Sequence, residues 1–86
     1  MQDGAHHPDA PAEATVLDLK GLKCPLPALK TRKALTRIAV GASLVVVCTD
    51  PMAAIDIPHL LRETGDALVD QQRGDGTMTF TIRKGG

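Results

Sequence analysis

The stretch LDLKGLKCPLPALKTRKAL, residues 17–35, joins the end of one predicted element to the start of another. The run TVLDLK (residues 15–20) overlaps the start of this stretch. It alternates apolar and polar side chains, which is typical of a strand with one buried face. Gly21 ends this strand. From about residue 25 to residue 38, apolar residues recur at helical spacing with cations opposite them, and Gly41 follows. The pattern therefore predicts a strand, a turn and an amphipathic helix.

Two prolines flank a single leucine where this helix begins. Proline usually interrupts a helix, but it costs little in the first turn, where N–H groups have no intrahelical partner. If Cys24 is the N-cap, Pro25 and Pro27 both fall within that turn and position the thiol. Cys24 would then lie at the positive end of the helix dipole, near Lys20 and Lys23, and these charges favour a thiolate. We therefore predict an exposed, reactive Cys24 of lowered pKa rather than an inert buried cysteine.

The middle of the chain predicts a second strand and a second helix. SLVVVCT, residues 43–49, is β-branched without polar alternation, which predicts a strand buried on both faces. Asp50 and Pro51 predict the N-cap and first position of a helix that ends near residue 64. Pro58 predicts a kink or a break in that helix, with Asp56 as the cap of its second part.

The last third predicts a β-hairpin. Residues 67–72 form a weak strand pattern, RGDGT supplies the turn, and residues 77–83 alternate with Met78, Phe80 and Ile82 facing inward. The predicted order is therefore βαβαββ. We expect an α/β fold, a two-layer sandwich with two helices on one face of a mixed four-stranded sheet.

The length of 86 residues predicts one domain. Residues 1–14, MQDGAHHPDAPAEA, lack apolar periodicity and predict a disordered tail, which leaves residues 15–86 as the folded domain. The tail lacks the apolar region of a secretory signal, and the longest apolar run, residues 44–48, is too short to cross a bilayer. We expect a cytoplasmic protein whose two cysteines are free thiols.

Three ordered segments resemble the TusA/SirA sulfur-carrier family. They are residues 17–35, with Cys-Pro-x-Pro opening a helix that contains Arg-Lys, then TDPMAAIDIPHL, and finally IRKGG. The resemblance implies a βαβαββ sandwich and a sulfurtransferase role. In this role the motif cysteine, here Cys24, accepts sulfane sulfur as a persulfide and relays it to another protein's cysteine. It also implies a cysteine desulfurase or rhodanese as donor, and an acceptor in tRNA thiolation, molybdenum cofactor assembly or sulfur oxidation.

Persulfide transfer requires an accessible thiol, so we expect no metal and no cofactor beyond the covalent sulfur on Cys24. We expect no histidine at a spacing useful for a general base, and His59 is predicted to be a surface or partly packed residue. We expect partner proteins to recognise an apolar collar around Cys24, to which Leu29 is a further candidate, and a basic helix face that attracts acidic surfaces. The hypothetical docking residues are Leu22, Lys23, Leu26, Lys30, Lys33 and Arg37.

Two roles are open for Cys48. It is predicted near the same sheet edge as Cys24, which would suit a second sulfur-holding thiol. Its position in an apolar strand favours instead a small core residue.

Other classes of function fit the sequence less well. The final Gly85-Gly86 resembles the thiocarboxylate end of ubiquitin-like sulfur carriers, but their β-grasp fold begins with a hairpin. A small RNA-binding module would use the basic first helix, yet zero net charge and a single aromatic residue argue against it. His6 and His7 with two distant cysteines do not form a metal-ligand set.

Overall fold

The computed structural model describes residues 14–85 and confirms the predicted order of elements. The elements are β1 (Thr15–Leu19), α1 (Leu26–Leu35), β2 (Ser43–Cys48), α2 (Ala53–Thr64), β3 (Ala67–Arg73) and β4 (Met78–Arg83). Apart from Ala14, the predicted N-terminal tail lies outside the described residues.

The four strands form one mixed sheet in the order β1-β2-β4-β3. β1 and β2 are parallel, and the other two pairs are antiparallel. Leu19 pairs with Cys48 at the C-terminal ends of β1 and β2. Because parallel strands end at the same edge of a sheet, the segments that follow β1 and β2 come together there.

Both helices cover one face of the sheet, and the core lies between the two layers. The strands contribute Leu44, Val46, Phe80 and Ile82, all completely buried. The helices contribute other buried apolar residues: Leu35, Ile57 and Leu61. The alternation of Met78, Phe80 and Ile82 toward the core is as predicted.

The prediction that β2 is buried on both faces is wrong. Its residues alternate between buried and partly exposed, with Val45 and Val47 partly exposed on the face opposite the helices. The cause is the two-layer architecture, since no helix within residues 14–85 covers that face of the sheet.

The starts of the two helices differ from the predictions. The N-cap of α1 is Pro25, one residue later than predicted, and Pro27 lies within the first turn. Leu29 N–H donates to the Pro25 carbonyl at 3.1 Å. Because this bond begins the helix at Pro25, Cys24 lies in the turn before α1 and is not the N-cap. α1 also ends at Leu35, three residues before the predicted end.

α2 is a single helix that contains Pro58, so it is not broken in two. Its N-cap is Met52, and the Asp50 side chain accepts the Met52 N–H at 3.0 Å in the turn that precedes the helix. Asp56 lies in the first turn and does not cap a second segment. Its carboxylate instead points toward the β1–α1 turn.

The hairpin of β3 and β4 closes the fold. Gly74 N–H donates to the Thr77 carbonyl at 2.9 Å, and Gly76 has a φ of +70°, a conformation that glycine adopts without strain. Within the described residues the βαβ unit comes first and the hairpin last. This order differs from that of a β-grasp fold and weighs against the thiocarboxylate alternative.

Candidate functional site

Cys24 lies in the turn between β1 and α1, as an exposed free thiol. Its backbone N–H donates to Asp50 Oδ2 at 2.5 Å, while Asp50 Oδ1 accepts the Met52 N–H at 3.0 Å. One carboxylate therefore joins the Cys24 turn to the start of α2. The peptide bond between Cys24 and Pro25 is cis.

The Cys24 side chain is held by a second carboxylate. Its S–H donates to Asp56 Oδ2, with 2.9 Å between Sγ and the oxygen. This hydrogen bond raises the pKa of the Cys24 thiol, with smaller contributions from partial desolvation and from the charges of Asp56 and Asp50. The prediction of a lowered pKa is therefore wrong, because a carboxylate stabilises the protonated thiol and repels the thiolate.

The two lysines expected to lower the pKa of Cys24 lie near carboxylates. Lys20 Nζ is 3.8 Å from Asp18 Oδ2. The pKa of Asp50 is lowered, chiefly by the Cys24 N–H, then by the Met52 N–H and by the charge of Lys23. Lys20 is thus paired with Asp18, and Lys23 acts on the pKa of Asp50.

A groove of about 330 Å³ begins at Cys24 and runs between α1 and α2. Its walls include Ala28, Leu29, Arg32, Asp56 and His59. As predicted, His59 is exposed. It faces the same groove as Cys24, and its Nε2 is 3.4 Å from Glu63 Oε2. The groove therefore has both apolar and charged walls beside the thiol.

The predicted docking residues separate into two groups. Leu26 and Leu29 are 43% and 55% exposed, Lys23 is exposed, and Leu22 is partly buried against the core. These residues surround the Cys24 turn.

The second group is the basic row, which consists of Lys30 and Lys33 on α1 and Arg37 in the turn that follows α1, all exposed. The row lines a different groove of about 430 Å³ between α1 and the start of β1. Among residues 14–85 none of these three cations forms an ion pair.

Cys48 lies near the same edge of the sheet as Cys24, but it points into the core. It is completely buried, and burial is the main cause that raises its pKa, followed by the charge of Asp50. A buried thiol of raised pKa is a poor nucleophile. The structure therefore places Cys48 as a packing residue.

The TusA sulfurtransferase family profile matches residues 15–84, which include every element of the fold. The chain belongs to the TusA family. It is 42% identical over 67 residues to a putative sulfur carrier protein of Neisseria meningitidis, covering 78% of this chain and 90% of that protein. It is 37% identical over 68 residues to the sulfur carrier protein TusA of Allochromatium vinosum, covering 79% and 90%.

The fold is also similar to that of a solved structure. A SirA-like protein from Desulfitobacterium hafniense superposes with a TM-score of 0.72 at 20% identity, over 83% of this chain and 97% of that one. This likeness supports the two-layer α/β architecture of the TusA-family chain.

Membership of the family and the names of its relatives support a sulfur-carrier role, and such a carrier exchanges sulfur with a donor and an acceptor protein. No helix in residues 14–85 is long and apolar enough to cross a membrane. In the same part of the chain, no three His, Cys, Asp or Glu side chains are grouped to hold a metal ion.

Sequence reasoning missed the contact between Asp56 and Cys24. The two residues are 32 positions apart, and local pattern gave Asp56 only a capping role. One signal was present in TDPMAAIDIPHL, the segment that resembles the family. It contains both Asp50 and Asp56, and it follows β2, which ends at the same edge of the sheet as β1.

Proposed function

We propose that this TusA-family chain carries sulfane sulfur as a persulfide on Cys24 and passes it to a thiol of an acceptor protein. The observation that supports the proposal is the contrast between the two cysteines of the chain. Cys24 is exposed beside an open groove, whereas Cys48 is completely buried.

The transfer is an exchange between sulfur atoms. In loading, Cys24 Sγ attacks the terminal sulfur of a donor persulfide, a new S–S bond forms at Cys24, and the donor S–S bond breaks. The donor cysteine leaves with the electron pair of the broken bond. In unloading, an acceptor thiolate attacks the outer sulfur and Cys24 is the leaving group. Neither step needs an external oxidant or reductant.

The surface beside Cys24 suits docking of protein partners. Leu26 and Leu29 expose apolar side chains near the thiol, and the basic row lies further along α1 and in the turn that follows it. Apolar contacts near the thiol would stabilise the complex, while the cations would attract acidic partner surfaces. We propose a cysteine desulfurase or a rhodanese as donor. The acceptor would belong to tRNA thiolation, molybdenum cofactor assembly or sulfur oxidation.

Intact-protein mass spectrometry tests the proposal. The protein is incubated with a cysteine desulfurase and cysteine, and separately with a rhodanese and thiosulfate. We compare wild type, Cys24→Ser and Cys48→Ala. We expect one reducible sulfur on wild type and Cys48→Ala, and none on Cys24→Ser. Equal gain on Cys24→Ser would contradict the proposal.

A further inference from the structure

We propose that Asp56 is the catalytic base that accepts the Cys24 proton when sulfur is loaded. This inference rests on the proposed persulfide chemistry at Cys24. Asp56 Oδ2 is 2.9 Å from Sγ, within the distance that direct proton transfer requires. The two residues come from different parts of the chain, so the contact is formed only in the folded protein.

The step balances without an added reactant. As Sγ attacks the terminal sulfur of a donor persulfide R–S–SH, the Cys24 proton moves to Asp56 Oδ2. The donor S–S bond breaks, and its electron pair leaves on the R–S sulfur. That sulfur then takes the proton from Asp56, either directly or through water. The products are Cys24–S–SH and R–SH, and Asp56 returns to its starting state.

The other charged groups near Cys24 have different partners. Asp50 accepts backbone N–H groups with both of its oxygens, from Cys24 and from Met52. Among the described residues, Asp56 is the side chain that accepts a hydrogen bond from Sγ. The remaining charged or titratable residues that line the grooves on either side of the Cys24 turn are Lys23, Arg32, His59 and Glu63. Glu63 pairs with both Arg32 and His59.

Asp56 has opposite effects on two reactions of the same thiol. It raises the pKa of Cys24, so the free protein presents a thiol that reacts slowly with small electrophiles at neutral pH. In persulfide transfer the same carboxylate removes the proton while the new S–S bond forms. Removing its charge should therefore accelerate alkylation and slow sulfur loading.

The test compares Asp56→Asn with its parent in a Cys48→Ala background. Alkylation by iodoacetamide and loading by glutathione persulfide are both followed by mass spectrometry as a function of pH. The matched control is Asp70→Asn, which removes one negative charge from exposed β3. The small donor avoids any effect of the substitutions on docking of a partner protein.

At pH 7 we expect Asp56→Asn to be alkylated several-fold faster and loaded several-fold more slowly than its parent. The loading deficit should disappear as pH rises through the pKa of Cys24, because a thiolate needs no base. Asp70→Asn should match the parent in both reactions.

Two results would overturn the role of Asp56. One is loading of Asp56→Asn at pH 7 that is as fast as that of the parent or faster. The other is a deficit that is the same at every pH, which would indicate a displaced thiol rather than a missing base. Loading that survives Cys24→Ser would instead overturn the proposed function, so the two failures are distinguishable.

Discussion

At the scale of single residues, the two carboxylates beside Cys24 act on different atoms. Asp50 binds the main-chain N–H, and Asp56 binds the thiol. The first bond positions the turn, and the second raises the pKa of the thiol. Cys24 is therefore distinguished from Cys48 by its exposure and its partner carboxylate, and both thiols have raised pKa values.

Native alkylation should distinguish the two cysteines. Iodoacetamide should modify Cys24 slowly at pH 7 and faster as pH rises, because its raised pKa leaves little thiolate at neutral pH. Cys48 should react only after unfolding in urea, because it is completely buried. Peptide mapping by mass spectrometry measures both rates. Modification of Cys48 at a rate similar to that of Cys24 in the native protein would contradict this assignment.

The contribution of Asp50 to the free energy of unfolding should decrease as the pH becomes acidic. Its pKa is lowered in the folded state, so its contribution is present above the unfolded value of about 3.9 and is lost as pH falls through the folded pKa. In urea denaturation, wild type should exceed Asp50→Asn in stability near neutral pH, and the difference should shrink in acid.

The control for this experiment is Asp75→Asn in the exposed hairpin turn, which should follow wild type. A constant difference between wild type and Asp50→Asn from neutral to acid pH would contradict the role given to the Asp50 charge.

At the scale of the elements, local sequence pattern was sufficient for the order of strands and helices. Alternation in β4 and helical spacing in α1 reflect which side chains face the core, and that property is visible in a short window. The contact between Asp56 and Cys24 depends on how α2 packs beside the β1–α1 turn. No local window contains that information, so the sequence led to the wrong direction for the Cys24 pKa.

The inward face of α1 contains one polar defect. Thr31 is completely buried, and its Oγ1 has no hydrogen-bond partner. Thr31→Val keeps the shape and removes the unsatisfied hydroxyl, so the free energy of unfolding should rise by about 1–3 kcal/mol in urea denaturation.

Thr36→Val is the matched control on the same segment. Its exposed hydroxyl donates to the Lys33 carbonyl at 2.6 Å, so its removal should bring no gain in stability. A loss of stability in Thr31→Val would contradict the assignment of Thr31 as an unsatisfied buried group.

At the scale of the whole molecule, zero net charge conceals an uneven distribution. Residues 19–49 contain six of the ten Lys and Arg residues and no Asp or Glu. Three of these cations form the exposed basic row, two on α1 and one in the turn that follows it. A field of this kind accelerates association with an oppositely charged partner and is weakened by salt.

Reversing the charges of the basic row should therefore slow the loading of sulfur onto Cys24 by a protein donor. We expect the triple variant Lys30→Glu, Lys33→Glu, Arg37→Glu to lose roughly tenfold in loading rate at low ionic strength, with a smaller loss at high salt. Loading by glutathione persulfide should be unchanged, since that reaction needs no docking.

The control carries the same change in net charge elsewhere on the surface: Arg62→Glu, Arg73→Glu and Arg83→Glu. It should load at a rate close to that of wild type. Equal losses in both triple variants would indicate an effect of net charge, and would contradict a docking role for the basic row.

Peptide mapping of the loaded protein locates the sulfur that Cys24 is proposed to carry. After loading and removal of the donor, tryptic digestion without reductant should place one additional sulfur on CPLPALK, residues 24–30. A brief incubation with a free thiol before digestion should remove it, as a carrier requires. Sulfur on the Cys48 peptide, or sulfur that stayed on Cys24 in the presence of the thiol, would contradict a carrier role for Cys24.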